Sequence, residues 1–261
     1  MAHRRPRLAP ILIALIALVA MAATQQVQAQ DAASWLSRMQ ERSQEGHYRM
    51  GFDAQMAVAQ DGIAGDLSID GNINFVTPSL FRVDFQIDMN LAGMEMAMRT
   101  VTVADGEEFW IEMDAPLLGG KQVMTGPVGR LAELSQGSSM DGMGGLGHDP
   151  IDQISLLAKS FDLKLVGHEE GKVTLAAEIS PELALTLAEE LPMAETLRHV
   201  TLTLDERHAM PLRMEMAGDV PFMTMNFKNY EFFTAEEVEA ENYRYAPPQE
   251  VQVNELFGEQ P

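Results

Sequence analysis

Apolar and polar residues alternate without interruption along residues 81–89. The apolar positions are Phe81, Val83, Phe85, Ile87 and Met89, and the polar positions are Arg82, Asp84, Gln86 and Asp88. Successive side chains of a β-strand point to opposite faces, so this pattern predicts a strand with one apolar and one polar face. Asp105-Gly106 is a hairpin-turn signal that leads into a further strand.

Similar runs along the chain predict about eleven strands. They are His47–Ala59, Ile63–Phe75, Leu80–Met89, Met94–Ala104, Glu107–Asp114, Asp162–Gly167, Lys172–Ile179, Leu197–Asp205, Leu212–Ala217, Phe222–Phe232 and Asn242–Ala246. A sheet of that width is expected to curl or to close. The sequence therefore predicts an α+β fold with one large antiparallel sheet, in a single domain over residues 30–261.

Three segments have the features of helices. One spans Asp31–Glu45 and another spans Ser180–Leu191. Between them, Asp149 and Pro150 form a good helix start, because an acidic N-cap followed by proline suits the first turn. The apolar face of this central helix consists of Ile151, Ile154, Leu157 and Ala158. The preceding stretch, Gly119–Gly147, is expected to be irregular and to end in a Gly/Met-rich surface loop.

Residues 1–29 have the features of a cleaved export signal. Three arginines precede an apolar run that is short for a membrane-spanning helix, and Val27-Gln28-Ala29 is a suitable cleavage site. The chain has no cysteine, so it offers neither a lipid-anchor cysteine nor a disulfide. We therefore expect an exported protein of a bacterial periplasm.

The negative charge of the chain limits the classes of partner. The formal net charge is −21, and it becomes −24 without the three arginines of the signal segment. Nucleic acids and anionic membrane surfaces attract basic proteins, so neither is an expected partner.

Methionines recur at alternate positions of three predicted strands. These strings are Met94-x-Met96-x-Met98, Met214-x-Met216 and Met223-x-Met225. In a strand, this spacing puts the thioethers on one face, where they form either an adaptable apolar lining or ordinary core. Soft thioethers also bind Cu(I), although no His or Cys is interleaved with them. A periplasmic copper protein is therefore an alternative that a metal titration separates from the others.

The sequence contains no complete motif for catalysis or for a metal. The histidines lack metal-ligand spacing, and no serine lies in a G-x-S-x-G elbow. Gly142, Gly144 and Gly147 match the letters of a dinucleotide fingerprint but lack the preceding strand that the fingerprint needs. We therefore expect a protein without enzymatic activity, cofactor or metal.

Four segments resemble the periplasmic lipoprotein carriers of the Lol pathway. They are residues 31–39 (DAASWLSRM), Gly71–Val83 (GNINFVTPSLFRV), Val103–Trp110 (VADGEEFW) and Tyr243–Val251 (YRYAPPQEV). Their order along the chain is that of the family, so the resemblance covers most of the mature protein. It implies an incomplete, curled β-barrel whose concave apolar face, covered by helices, accepts the acyl chains of lipoproteins.

Alternation and resemblance together give the expected site. The lipid-binding cavity is predicted to be lined by Phe81, Val83, Phe85, Ile87, Met94, Met96, Met98, Trp110, Met214, Met216, Met223 and Met225. The central helix, with Ile151, Ile154, Leu157 and Ala158, is predicted to be the lid. The family carries a lid-binding arginine at the position of Thr77, so we expect a weaker closed state in this chain.

These features predict a monomeric periplasmic carrier that shuttles lipoproteins, or other lipids, from the inner to the outer membrane. The resemblance implies two protein partners, an inner-membrane lipoprotein-release transporter and an outer-membrane receptor. A domain of the same fold that senses lipid or lipoprotein and reports it to a partner is the main alternative.

Overall fold

The computed structural model describes residues 31–60, 63–131, 149–188, 192–219 and 221–257. Three features of the sequence lie outside these ranges. They are the expected signal segment 1–29, the Gly/Met-rich loop 136–147, and the last three residues of the predicted helix Ser180–Leu191.

Most of the described chain consists of β-strands. They are β1 (His47–Gln60), β2 (Ile63–Thr77), β3 (Leu80–Leu91), β4 (Met94–Asp105), β5 (Glu108–Ala115), β6 (Gly120–Pro127), β7 (Lys164–Glu169), β8 (Lys172–Glu178), β9 (His199–Asp205), β10 (Pro211–Ala217), β11 (Pro221–Phe233) and β12 (Val253–Glu255). The helices that bear on the site are α1 (residues 31–45), α2 (Pro150–Ser160) and α3 (Pro181–Ala188).

All of these strands belong to one sheet, in the order β12-β6-β5-β4-β3-β2-β1-β11-β10-β9-β8-β7. The strands β1 to β6 form one meander, β7 to β11 form a second, and the antiparallel pair of β1 and β11 joins them. The pairing of β12 with β6 is parallel. In the described part of the chain, β12 and β7 each pair on one side only, so the sheet stays open. The prediction of an α+β fold with one large, curled antiparallel sheet is confirmed.

The sheet contains two strands outside the predicted set, β6 and β12, and it lacks the predicted strand Asn242–Ala246. Strand β6 falls in Gly119–Gly147, where glycine and proline obscure the pattern. Its outer residues Val123 and Thr125 are buried, and a strand covered on both sides does not show a simple alternation. Residues 242 and 243 instead belong to the 3₁₀ turn Ala240–Tyr243, and residues 244–246 follow it without a ladder partner in the described chain.

The hydrophobic core lies between the helices and one face of the sheet, named the inner face. The register of β1 to β5 aligns its largest buried side chains, which are Tyr48, Phe75, Phe81 and Phe109. Helix α1 adds Leu36 and Met39, and α2 adds Ile151 and Ala158, all buried. Complete burial of one large apolar side chain stabilises a fold by about 1.5–3 kcal/mol, so this contact surface fixes both helices.

The C-terminal segment wraps around the edge strand β6. On the outer face of the sheet, the ring of Tyr245 lies 5.6 Å from that of Trp110, and its hydroxyl donates a hydrogen bond to Glu112. Strand β12 then pairs with β6, and Phe257 reaches the inner face, where its ring lies 6.2 Å from Phe109. The segment therefore covers an edge that would otherwise be open to pairing with another chain.

Gly71, in one of the segments that resemble the carrier family, lies where packing leaves no room for a side chain. A Cβ at this position would lie 2.7 Å from the ring of Phe52 and 2.8 Å from the carbonyl oxygen of Asp84. We expect Gly71→Ala to lower the free energy of unfolding by about 1–3 kcal/mol, because the methyl group forces the ring and the neighbouring strand to shift. Urea denaturation measures this change.

Gly167→Ala in β7 is the matched control. A Cβ there would be in ordinary contact with Thr174 at 3.6 Å, so the substitution should be neutral or slightly stabilising. If both variants unfold at the same urea concentration, the close packing around Gly71 is relieved without cost and the interpretation is wrong.

Candidate functional site

A row of mostly methionine side chains crosses the inner face of the sheet. The strand register aligns, from β4 to β10, Met96, Met89, Leu67, Met56, Met223 and Met216. The five methionines of this set are named the methionine row. Opposite residues on neighbouring strands have their Cβ atoms about 4.5–5.5 Å apart. The row is therefore one continuous apolar strip, assembled from segments that are far apart in the sequence.

The methionine row is buried at one end and partly exposed at the other. Met216 and Met223 are each 8% exposed, whereas the three members on β1, β3 and β4 are half-buried. The next row on β2 to β4 is also half-buried and consists of Ile69, Ile87 and Met98. The helices thus cover the aromatic end of the inner face and leave the methionine-rich end of β1 to β4 open to solvent.

A cavity of about 940 Å³ spans β11 and β1 to β4 at the level of the methionine row. Its apolar lining residues are Met56, Ala57, Leu67, Met89, Met96, Ala97, Phe222 and Met223. Its polar lining residues are Gln55, Asp66, Ser68, Asp88, Asn90, Glu95 and Thr224. Successive residues of a strand point to opposite faces, so these polar side chains lie on the outer face, opposite those of Met56, Leu67, Met89 and Met96. The candidate site on the inner face therefore rests on the half-buried apolar strip and not on this cavity.

The register places every predicted lining residue except Trp110 on the inner face. Phe81 is buried beneath the helices, whereas Met94, at the turn between β3 and β4, is 65% exposed. The register adds Met56, Leu67 and Met89 to this apolar surface. Met89 continues the alternation of β3 and was open to prediction, whereas the other two depend on the register of β1 and β2. The binding of lipid by these residues stays a prediction.

The prediction that Trp110 lines the cavity is wrong. The register pairs Phe109 with Ala104, on the inner face, and Trp110 with Val103, on the outer face. Phe109 is fully buried in the core, and Trp110 packs against Tyr245. Two adjacent aromatic residues of a strand point to opposite faces, and the hairpin register decides which of them turns inward.

Helix α2 packs its apolar face on the core. Asp149 caps its N terminus, since the carboxylate accepts a hydrogen bond of 2.7 Å from the backbone N–H of Ile151. Ile151 and Ala158 are buried, and the half-buried Ile154 packs against the same core. The side chain of Leu157 lies outside the described part of the structure. The predicted helix start is confirmed, and the role of the helix as a lid stays a prediction.

A buried hydrogen bond ties α2 to the sheet. The hydroxyl of Tyr48, at the start of β1, donates to Oδ1 of Asp149 at 2.8 Å. A second contact ties α2 to α1, because Oγ of Ser43 donates to Oδ1 of Asp152 at 2.9 Å. The sequence identifies Asp149 as a helix cap but does not reveal its partner, which lies 101 residues earlier in the chain.

Burial changes the proton affinity of both members of this pair. Loss of solvent raises the pKa of Asp149 to about 6, and the hydrogen bond from Tyr48 offsets only part of that effect. Burial, together with the nearby carboxylate, raises the pKa of Tyr48 well above its ordinary value, so the tyrosine remains the donor. An aspartate in an unfolded chain ionises near pH 3.9, so the stabilisation from Asp149 is greatest below that pH. It is lost as the pH rises through about 6.

In the described structure, Thr77 is not the residue that hydrogen-bonds the start of α2. The residue is exposed in the turn between β2 and β3, where its hydroxyl shares a hydrogen bond of 3.1 Å with that of Ser79. The hydrogen bond between sheet and α2 comes from Tyr48 instead.

Other kinds of site have little support among the described residues. Within those ranges, no three His, Cys, Asp or Glu side chains come close enough together to hold a metal ion. No described helix is both long and apolar enough to cross a membrane.

Comparisons with known proteins give distant structural similarity. No family model and no curated protein matches the chain. Among solved structures, LprF from Mycobacterium bovis is 11% identical, with a TM-score of 0.48 over 77% of this chain and 93% of LprF. A chain of the Pseudomonas aeruginosa MucA/MucB complex is 16% identical, with a TM-score of 0.38 over 83% of this chain and 61% of that one.

A third similar structure is a domain described as an outer membrane lipoprotein-sorting protein, from Vibrio parahaemolyticus. It is 11% identical, with a TM-score of 0.29 over 81% of this chain and 97% of that domain. TM-scores below 0.5 do not transfer a function, so the site rests on the geometry of this chain.

Asp149→Asn removes the titrating group and keeps a residue that caps helices well. Because the pKa of Asp149 is about 6 in the folded protein, the free energy of unfolding of the wild type, relative to that of the variant, should fall as the pH rises from about 4 to about 7. Urea denaturation of both proteins across this range measures the difference. A difference that does not change with pH would mean that folding leaves the pKa of Asp149 at its ordinary value.

Proposed function

We propose that this protein is an exported carrier that binds the acyl chains of lipoproteins, or of other lipids, on the inner face of its sheet. The observation that carries the proposal is the half-buried, methionine-rich end of that face, which continues the core beyond the helices. A contiguous apolar surface that a folded protein leaves partly exposed marks a place where another apolar molecule binds.

Covering an acyl chain supplies the free energy for such binding. Each methylene removed from water contributes about 0.8 kcal/mol, so a chain of about fifteen carbons gains roughly 12 kcal/mol when it is fully covered. On the inner face, the surface that would cover such a chain is the half-buried part of the methionine row together with the next row, Ile69, Ile87 and Met98.

Methionine suits a surface that must accept and release variable chains. Its unbranched, polarisable side chain adapts to the shape of a partner, and proteins with many partners use surfaces of this kind. A carrier needs no catalytic group, and we propose no enzymatic activity.

Helix α2 serves as the movable cover in this proposal. In the described structure it is held by apolar contacts and by the hydrogen bond between Tyr48 and Asp149. Lifting α2 would expose the aromatic end of the inner face and extend the apolar surface that begins at the methionine row. Uptake of a long acyl chain is therefore coupled to the movement of this helix.

Lipoprotein traffic in the periplasm is the proposed setting, supported by the sequence resemblance and by the signal-like N terminus. A monomeric carrier would receive its cargo from an inner-membrane release transporter and deliver it to an outer-membrane receptor. In the sensing alternative, bound lipid would change the affinity for a partner protein and would not be passed on. Transfer of a labelled lipid between two vesicle populations separates these roles.

Met96→Asp tests the apolar surface directly. Met96 lies in the half-buried part of the methionine row on the inner face, and a carboxylate there would lose its water to a bound acyl chain. We expect the wild type to bind a fluorescent fatty acid, and the variant to bind it about tenfold more weakly or worse. Fluorescence titration measures both affinities.

Leu117→Asp is the matched control, because it makes a similar change at a residue that is 68% exposed and outside the cavity lining. It should bind the fatty acid as the wild type does, and both variants should keep the wild-type circular dichroism. If well-folded wild-type protein binds no acyl probe, the carrier function is excluded.

Tyr48→Phe tests the cover. The substitution keeps the ring and removes the hydroxyl that donates to Asp149. A hydrogen bond to a charged group contributes about 1.5–3 kcal/mol, so its loss should populate the open arrangement and speed association of the fatty acid about tenfold. Stopped-flow fluorescence measures the rate.

Thr77→Ala is the control for this experiment, since the hydroxyl of Thr77 is bonded within its own turn. Its association rate should equal that of the wild type. If folded Tyr48→Phe protein takes up the fatty acid no faster than the wild type, α2 does not gate the site.

A further inference from the structure

We propose that the methionine row is a modification site, at which oxidation of thioethers to sulfoxides switches off acyl binding. The inference rests on the proposed function, because it assigns a chemical control to the same surface. The residues concerned are Met56, Met89 and Met96.

Methionine is the residue type that carries all of the sulfur in this chain. The chain contains 19 methionines and no cysteine. Thiols therefore do not compete for peroxide, and the thioethers are its oxidisable sulfur groups. An exported protein meets such oxidants without the thiol buffers of the cytosol.

Burial divides the described methionines into protected and accessible groups. The protected group lies in the core, at most 2% exposed, and includes Met39, Met50 and Met210. The accessible members of the row are half-buried, and they are Met56, Met89 and Met96. Hydrogen peroxide in the solvent therefore reaches these thioethers before those of the core.

The reaction is a balanced transfer of one oxygen atom. The thioether sulfur attacks one oxygen of hydrogen peroxide, the O–O bond breaks and an S–O bond forms. After proton transfer the second oxygen leaves as water, so sulfur is oxidised by two electrons and peroxide is reduced. Methionine sulfoxide reductase reverses the modification.

The register of the row makes a single oxidation effective. Met89 lies directly opposite Met96, and Met56 lies between Leu67 and Met223. A sulfoxide at any of the three accessible positions therefore places a strong dipole within the apolar strip. A polar group covered by an acyl chain without a hydrogen-bond partner is unfavourable, so affinity should fall about tenfold or more.

Leu67 indicates that leucine can replace methionine in this strip, which removes the oxidisable sulfur without disturbing the packing. It is the one residue of the aligned apolar strip that is not a methionine. It lies on β2 between Met56 and Met89 and is half-buried like them. Leucine therefore fits the surface, and replacing methionine by leucine changes side-chain volume little. The triple variant Met56→Leu, Met89→Leu, Met96→Leu should keep the apolar strip and lose its oxidisable sulfurs.

The experiment compares this triple variant with the wild type under limited treatment with hydrogen peroxide. Peptide mass spectrometry identifies the oxidised methionines, and titration with a fluorescent fatty acid measures affinity before treatment, after treatment and after incubation with methionine sulfoxide reductase. Met94→Leu is the matched control, because Met94 is 65% exposed and pairs with Leu91, outside the methionine row. Circular dichroism follows the fold throughout.

Treated wild type should carry sulfoxide in the row before the core, bind about tenfold more weakly and recover after reduction. The triple variant should keep its affinity within about twofold, and Met94→Leu should respond as the wild type does. Unchanged binding by oxidised wild type overturns the inference. An equal loss in the triple variant, or unfolding of the wild type at this stage, overturns it as well, since the damage then lies elsewhere.

Failure of the proposed function gives a different result. In that case untreated, folded wild type binds no fatty acid, and the inference fails with the function. If untreated protein binds and only the effect of oxidation is missing, the carrier function stands and the modification site alone is rejected.

Discussion

The pairing of β1 with β11 is the constraint on which the rest of the structure depends. It joins two meanders that would otherwise be separate sheets, and it brings together strands that are far apart in the described chain. The methionine row crosses the junction between β1 and β11, because Met56 on β1 lies opposite Met223 on β11. Without the pairing, the apolar strip would divide into a segment on β1 to β4 and a segment on β10 and β11. The site is therefore a property of the assembled sheet, and no single hairpin contains it.

Local periodicity predicts most of the strands, but it does not predict the β-bulge in the pairing of β1 with β11. Gly51 pairs with Lys228 and Arg49 with Glu231, so two residues of β11 lie opposite one of β1, and Asn229 takes a positive φ of 57°. Such a bulge reverses the alternation of the strand that contains it. It allows Phe227 and Phe232, opposite Phe52 and Tyr48, to share the inner face although they are an odd number of residues apart. A pattern of period two cannot show this, because the information lies in the partner strand.

The candidate site shows the same division between local and non-local information. Alternation places the side chains of β3 and β4 on a common face, and the helix start at Asp149 follows from the chemistry of a cap and a proline. The orientation of Trp110, the participation of Met56 and Leu67 and the bond from Tyr48 to Asp149 all depend on contacts between distant segments. Strand β12 could not be predicted for a related reason. It is three residues long, and it exists only because β6 offers an edge.

The buried carboxylate of Asp149 opposes the packing of α2 on the hydrophobic core, which bears on the proposal that this helix is a movable cover. Apolar contacts alone would hold α2 firmly, since each large buried side chain contributes about 1.5–3 kcal/mol. An ionised carboxylate in the same interface opposes closure, because opening returns it to water. The raised pKa of about 6 is the measure of that opposition. Near neutral pH the packing of α2 on the core is therefore weaker than its apolar contacts alone would make it. In the proposed carrier, this would bring the covered and uncovered arrangements closer in free energy, as a protein that both covers and releases its cargo requires.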